Sequence, residues 1–438
     1  MKRRELAAIG FMTFALFLGA GNLIFPPLMA QQAGENWLSA IAGFLITAVG
    51  LPALTLVVLG KLPSIDRLTS ALPAWMDRGF WILILTTIGP AFALPRAVTV
   101  AYEMGIKPFS SGDGLFLFSI LFCALTLVLA IKPGKLINYI GRIMTPALIA
   151  MLGLLTVFAL FNPLGSPSKA TDIYQSAPVV NGLIQGYMTL DAIAAVVFGW
   201  VIINTIRTTS SQDKETSFRD TLIIVGIYAA LMALCYLSMG YLGATSSNIA
   251  PNASNGGEIL AAYAAGQFGA FGQILLASIT LIACLTTTVG ITTANAEYYK
   301  NTYGINVKLS AIVVTFLTAT ISNVGLETII QVSLPVILIL CPIAIALILS
   351  VIFIPKAGEP KQRCASMGQT MVVLISGVFG TLDALNILGK LPDFVSDTAT
   401  HYLPLFPDNM SWLMPSLVTM ALVRITRQFM ASKQPLFG

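Results

Sequence analysis

Four groups of residues in this chain have types and spacings that can do chemistry. The first is Phe17-Leu18-Gly19-Ala20-Gly21-Asn22, followed by Pro26 and Pro27, inside a long apolar run. Gly19 and Gly21 make the backbone easy to unwind, and Pro26 removes an N–H and loosens the turn before it. An opened helix exposes carbonyl and N–H groups that can replace an ion's hydration shell or meet the charged ends of a small zwitterion. Asn22 adds a neutral amide oxygen. The plainer alternative is a seam of small residues with a proline kink, common in membrane helices. The second group is Asp191, an acidic residue near the centre of an apolar segment that also holds Gly186. A carboxylate at mid-membrane costs on the order of 3 kcal/mol by insertion scales, so it faces a cavity or a partner. It can oppose a substrate ammonium or a cation, carry a proton, or pair with the third group, Arg96, the basic residue that falls within an apolar segment. Arg96 can equally hold a substrate carboxylate. The fourth group is Thr286, Thr287 and Thr288, whose successive hydroxyls suit a hard cation such as sodium. Threonines in such helices also bond back to their own helix, at the i−4 carbonyl.

Other chemistry is excluded. The single histidine, His401, reads as a loop residue, so no histidine-based metal site or nucleophile–base pair can be built inside the apolar segments. Cys123, Cys235, Cys284, Cys341 and Cys364 are unpaired in spacing and read as small hydrophobes. No clustered carboxylate pair occurs within a segment, which argues against an enzyme.

The elements that position these residues must be helices. Of the 438 residues, 56% are hydrophobic and only 10% charged, with a mean hydropathy of +0.84. That is too little charge to cover a water-soluble domain. Windows of about 17–25 apolar residues can cross a bilayer, and about twelve are present. They lie near 7–29, 38–59, 80–102, 115–131, 144–161, 181–204, 220–243, 270–296, 308–324, 330–354, 367–389 and 411–428. The expected fold class is an all-α integral membrane protein, because hydrocarbon offers backbone groups no partner outside helices and closed barrels. The start, Lys2-Arg3-Arg4 and an apolar run, reads as a retained first helix rather than a cleaved signal, since the run is too long and lacks a clean cleavage site.

Lysine and arginine alternate between rich and poor connections. Lys2, Arg3, Arg4, Lys61, Arg67, Arg78, Lys132, Lys135 and Arg142 share one side with Arg207, Lys214, Arg219, Lys300, Lys308, Lys356, Lys361, Arg363, Arg424, Arg427 and Lys433. Lys107, Lys169 and Lys390 fall on the other. Basic residues collect on the cytoplasmic side, which predicts a multi-pass protein with both termini cytoplasmic. The net charge of +5 therefore reports orientation in the lipid bilayer and no nucleic-acid partner. The longest outside connection, 244–269, reads either as a loop or as a short interfacial helix.

Interruptions occur in the first and sixth windows. Those windows are five apart, the equivalent positions of two five-helix repeats, and an odd number of spans per repeat inverts one half against the other. Broken segments at matching positions point to a secondary transporter's binding site.

With "GAGN…FPP" in the first window, "TTT" in the eighth and this 5+5 pattern, the chain resembles the LeuT-like inverted-repeat symporters. Over nearly its full length it resembles the bacterial branched-chain amino acid:cation symporters, through "GFMTFALFLGAGNLIFPP", "GFLITAVGLP", "GYMTLD", "PGKL" and "SNVGL". The resemblance implies a first repeat over 1–162, an inverted second repeat over 181–354 and two C-terminal helices over 367–430. It implies sodium-coupled uptake of leucine, isoleucine and valine across the bacterial cytoplasmic membrane by alternating access. A monomer would suffice, and no cofactor beyond the coupling ion Na+ would be needed. The implied sodium ligands are the Ala15, Leu18 and Ala283 carbonyls and the Thr286 and Thr287 hydroxyls. The implied substrate site uses N–H groups around Ala20 and Gly21 for the carboxylate. Carbonyls near Phe17 and Thr189, together with Asp191, would meet the ammonium, and Gly19 and Asn22 would complete the set. Two departures stand out. The relatives' second sodium site uses an asparagine in the seventh window, which has none here, and the arginine of their outer gate is missing beside Asn22-Leu23-Ile24-Phe25-Pro26. Alternative readings are a proton-coupled carrier of another small amino acid and a passive channel. The scarcity of intramembrane charge speaks against the channel.

Overall fold

Backbone groups in hydrocarbon have no water to bond and must be satisfied within helices. Every regular element among the described residues of this computed structural model is indeed helical. The structure describes residues 1–64, 67–110, 112, 114–131, 145–210, 214–354 and 361–432. Lys132, Lys135, Arg142, Lys356, Lys433 and the "PGKL" motif fall outside the described residues, as do the side chains of Lys214, Lys361, Arg363, Cys364 and Arg427.

In chain order the helices are α1 (Arg3–Phe17), α2 (Ala20–Ala33), α3 (Trp37–Leu45), α4 (Leu51–Lys61), α5 (Ala74–Thr86) and α6 (Ala93–Gly105). Then come α7 (Leu115–Ala130), α8 (Thr145–Phe161), the short α9 (Asp172–Ser176), α10 (Pro178–Met188), α11 (Asp191–Thr209) and α12 (Lys214–Ala244). The last are α13 (Gly256–Tyr303), α14 (Val307–Ser322), α15 (Leu326–Phe353), α16 (Lys361–Ile387), α17 (Asp393–Tyr402) and α18 (Leu413–Ser432). Among the described residues, seven helical stretches are long and apolar enough to cross a membrane, and four shorter ones are strongly apolar. Phe116 and Leu121 on α7, and Leu309 and Phe316 on α14, are exposed, which suits a face turned to lipid.

The chain divides into two compact units, Met1–Val57 with Leu85–Ile330, and Val58–Ile84 with Gln331–Gly438. The first unit holds every candidate site residue. Within it α10 packs along α3, α13 along α6, and α12 along both α1 and α2. The α3–α10 contact is so close that a Cβ at Gly182 would stand 1.9 Å from the Ala40 carbonyl oxygen, and one at Gly186 1.9 Å from Thr47 Oγ1. In the second unit α16 packs on α18 around Ala346, Ile354, Val372 and Met420. There the buried Asp383 carboxylate accepts the Ser411 N–H at 3.1 Å.

Two features depart from the sequence reading, and a third decides between two readings it left open. The second and third windows were expected to be continuous, yet each contains a wide turn, at Ile46–Gly50 and Thr87–Ala91. Pro90 lacks the N–H that a regular turn needs, and Gly89 leaves helical geometry (ψ −124°). Gly186, read as part of the sixth-window interruption, sits inside regular helix as a close-packing residue, and the break follows at Thr189–Leu190. Finally, the connection 244–269 contains a helix. Asn255 Oδ1 accepts the Glu258 N–H at 3.2 Å, and Glu258 returns to accept the Ser254 N–H at 2.9 Å, a reciprocal arrangement that starts a helix. Gly269, at φ +57°, then redirects the chain into the long part of α13.

Candidate functional site

A helix leaves its last carbonyls and first N–H groups without intrahelical partners, so each internal break creates a set of groups to be accounted for. At the first break α1 stops at Phe17 and α2 starts at Ala20, with Gly19 extended between them. The stranded carbonyls are met mostly by α13. Thr286 Oγ1 lies 3.2 Å from the Ala15 oxygen and 2.9 Å from the Ala283 oxygen. Thr287 Oγ1 lies 3.2 Å from the Leu16 oxygen and 3.4 Å from the Leu18 oxygen. The Phe17 oxygen accepts Asn22 Nδ2 at 2.8 Å. Thr287 bonds across to α1 rather than to its own helix, whereas Thr286 does both and Thr288 bonds Leu285 and Thr126. The five expected ion ligands fall in two neighbouring groups, Ala15 and Ala283 about Thr286 and Leu18 about Thr287, where Leu16 joins them. Oxygens around an octahedral hard cation with metal–oxygen distances in the calcium range, about 2.3–2.6 Å, stand roughly 3.3–3.7 Å apart. The observed spacing is slightly tighter, as hydroxyls donating to carbonyls require, and the donor set fits such an ion.

At the second break α10 ends at Met188 and α11 starts at Asp191. The link is Leu190, buried and left-handed at φ 67°. A branched side chain in that region is strained by about 1–2 kcal/mol, so the surroundings must hold it there. The stranded carbonyls here are met by a cation. Arg96 on α6 donates from Nη1 to the Met188 oxygen at 2.8 Å and from Nη2 to the Thr189 oxygen at 3.1 Å. Its guanidinium carbon lies 5.5 Å from the centre of the Phe25 ring. Arg96 is 4% exposed and Asp191 3%. Among the described residues no ion pair within 4.0 Å joins them, so the expected alternative of an internal pair is not realised as a direct contact.

Asp191 instead gathers neutral donors. Asn22 Nδ2 reaches its Oδ2 at 3.0 Å and Tyr236 Oη at 2.8 Å, while its N–H donates to Thr189 Oγ1 at 3.3 Å. Asn22 thus serves as a donor that ties the two breaks together, whereas the sequence reading took it as an oxygen ligand. The breaks also approach directly. A Cβ at Gly21 would stand 2.7 Å from Arg96 Nη2 and 3.2 Å from the Thr189 Cα, and one at Gly19 3.1 Å from Thr287. Ala20 and Gly21 open α2 without a side-chain cap, beside the arginine.

The sequence reading missed Tyr236 and Tyr228. They lie two turns apart on α12, one face of one helix, and both are fully buried. Tyrosines at that spacing in an otherwise apolar helix were the available signal. The Tyr228 ring sits 4.7 Å from Phe17, which is 5.2 Å from Phe198, and the buried Tyr228 hydroxyl has no hydrogen-bond partner among the described residues. The site therefore combines an apolar aromatic wall with opposite charges about two helix breaks, suited to a small zwitterion with an apolar side chain.

Comparison with known proteins agrees with this. A family model described as branched-chain amino acid transport protein matches residues 2–430. The branched-chain amino acid transport system 2 carrier protein of Pseudomonas aeruginosa is 40% identical over 428 residues, 97% of this chain and 95% of its own length. The branched-chain amino acid permease BrnQ of Escherichia coli K12 is 36% identical over 433 residues, 97% and 96% of the two chains. Among solved structures, Mhp1, a nucleobase-cation-symport-1 family transporter, superposes with a TM-score of 0.66 at 12% identity, covering 99% of this chain and 94% of its own. A manganese transporter of Eremococcus coleocola does so at 0.54 and 13%, covering 96% and 95%. These structural likenesses place the fold in the LeuT-like class.

Proposed function

The chain belongs to the branched-chain amino acid transport protein family, and from that premise we propose that it takes up leucine, isoleucine and valine by symport with sodium. The observation that supports the ion is that two successive hydroxyls meet the carbonyls of the first break and of α13, Thr286 those of Ala15 and Ala283 and Thr287 that of Leu18, at 2.9–3.4 Å. When a sodium ion enters, the two hydroxyls turn their lone pairs inward and the carbonyls exchange weak donors for a full charge. Because two of those carbonyls, Ala15 and Leu18, end α1, the ion would fix the first break and with it the uncapped N-terminus of α2. That terminus is the place for the substrate carboxylate, met by the Ala20 and Gly21 N–H groups and a helix dipole that favours negative charge. The substrate ammonium goes to Asp191. The Thr189 carbonyl, which the sequence reading offered to the ammonium, already faces the Arg96 cation and suits it poorly. The branched side chain lies against Phe17, Phe198 and Tyr228. Ion and zwitterion thus order one discontinuous helix from its two sides, which couples their binding. Alternating access would rock the helices around that fixed site, in a bacterial cytoplasmic membrane with both termini cytoplasmic and one chain as the working unit. The repeats would be 1–162 and 181–354, with 367–430 added.

Labelled-leucine uptake into proteoliposomes with imposed sodium, proton or potassium gradients tests this. Accumulation driven by sodium alone is expected, and equal uptake under all three would overturn it. One observation favours a second reading: among the described residues, the side-chain groups that hydrogen-bond the Asp191 carboxylate are neutral, as they would be around a proton carrier. Accumulation under a proton gradient without sodium would select that reading.

A further inference from the structure

The carbonyls of the two breaks face different partners, neutral hydroxyls at the first and a guanidinium at the second, and the difference points to a role for Arg96. In a 5+5 inverted repeat the first and sixth spans are counterparts, and so are the third and eighth. The eighth-span residues Thr286 and Thr287 face the carbonyl end of the broken first span. Their third-span counterpart facing the carbonyl end of the broken sixth span is Arg96, through Met188 and Thr189. We propose that Arg96 is a resident cation, held by the protein in the place where a second coupling ion would sit, so that the carrier moves one ion per substrate. This rests on the sodium-symport reading above.

The geometry is that of an ion site filled by a side chain. A guanidinium does not deprotonate in proteins, and its planar fork suits two adjacent oxygens at once. Its two Nη atoms reach carbonyls one residue apart, at 2.8 and 3.1 Å. The cation is 4% exposed, and its Nε–H is buried with no acceptor among the described residues. A buried charge without a counter-charge in contact would be costly. The negative ends of the α10 peptide dipoles and the Phe25 ring stabilise it at close range, and the Asp191 carboxylate does so from beyond contact distance. Gly21 leaves room for it, since any Cβ there would stand 2.7 Å from Nη2. Arg96 is therefore a positioning residue: it holds the Thr189–Asp191 link in the shape that presents the Asp191 carboxylate. A mobile ion at this break is excluded because the oxygens are already taken.

The test is equilibrium leucine binding to the purified full chain in detergent, as a function of sodium, for wild type, R96Q and R96K. R96Q should bind leucine roughly tenfold or more weakly at fixed sodium. Millimolar guanidinium chloride should restore much of that loss, and urea, its neutral planar isostere, should not. R96K keeps the charge but not the fork, so its sodium slope should stay at one while affinity falls. Wild-type affinity in R96Q, restoration by urea as well as by guanidinium, or restoration by neither would overturn the proposal. Should R96Q fail to fold, R96K decides: a sodium slope above one would overturn it. If wild-type binding ignores sodium altogether, the symport reading fails and not the assignment of Arg96.

Discussion

The break at residues 17–20 and the break at 188–191 are the same device built twice with opposite degrees of commitment. Each strands the carbonyls of one helix and the first N–H groups of the next. At the first, the carbonyls face neutral hydroxyls of Thr286 and Thr287, the N-terminus of α2 has no side-chain cap, and the hinge is an extended Gly19. At the second, the carbonyls face the Arg96 guanidinium, the N-terminus of α11 carries Asp191, and the hinge is a strained Leu190. On the symport reading proposed above, the first break leaves its electrical ends to an arriving ion and substrate, and the second answers its own with Arg96 and Asp191. The committed break would then be a fixed reference, and the open one would change state with its cargo. Asn22 joins them, bonding the Phe17 carbonyl and the Asp191 carboxylate at once.

The largest effect should come from removing the anion that the second break supplies. Asp191→Asn keeps size and some hydrogen bonding, and a charged contact is worth roughly 1.5–3 kcal/mol. Leucine affinity should fall on the order of ten- to a hundredfold, with thermal stability retained, because no direct partner cation is orphaned. Normal affinity in this variant would remove Asp191 from the substrate site. If exchange at equilibrium survives while gradient-driven accumulation is lost, the residue is a proton carrier instead. Next comes the open break. Thr286→Val with Thr287→Val keeps shape and removes two oxygens, so half-maximal uptake should require at least about tenfold more sodium, about 1.4 kcal/mol, while the protein still folds. An unchanged sodium requirement would place the ion elsewhere.

A smaller effect is expected at the seam. Tyr236→Phe removes one of the two side-chain donors to Asp191 Oδ2, a net loss near 1 kcal/mol, so leucine affinity should drop about fivefold with the sodium requirement little changed. A shift in sodium dependence alone would contradict the division between the breaks. The smallest functional effect belongs to Gly186→Ala. Its Cβ would press on Thr47 Oγ1, so melting temperature should fall, with overpacking costing about 1–3 kcal/mol. Transport by the remaining folded protein should keep its sodium and leucine dependence. A selective change in either would return Gly186 to the hinge.

Much of the open break was legible because its signals are local. Glycines, an asparagine and a proline within a few residues announce an interrupted helix, and three adjacent threonines announce a hydroxyl cluster. The resemblance to known symporters joined the two before any geometry was available. The committed break was legible only through its charge. Asp191 stands out in an apolar segment, but the left-handed residue beside it is a leucine, a type that carries no signal for that conformation. Gly186 was misread because a glycine for close packing and a glycine for a hinge look alike in sequence. Arg96 meets Met188 and Thr189 across more than ninety positions, and Tyr236 meets Asp191 across 45. Nothing local encodes such contacts, so the arginine's role stayed open and the tyrosine went unnoticed. The wide turns at Ile46–Gly50 and Thr87–Ala91 were hidden for a similar reason, since a single extra residue per turn barely disturbs an apolar window.

The number of sodium ions moved with each leucine tests the distinction between the breaks most directly. Proteoliposomes loaded with known sodium and leucine gradients can be clamped at a series of membrane potentials, and the potential at which net leucine flux vanishes reports the ratio. With the first break open to an ion and the second already holding Arg96, that potential should correspond to one sodium per leucine. A ratio of two would mean that the second break, or some other site, binds a mobile ion after all, and zero would mean that the first does not.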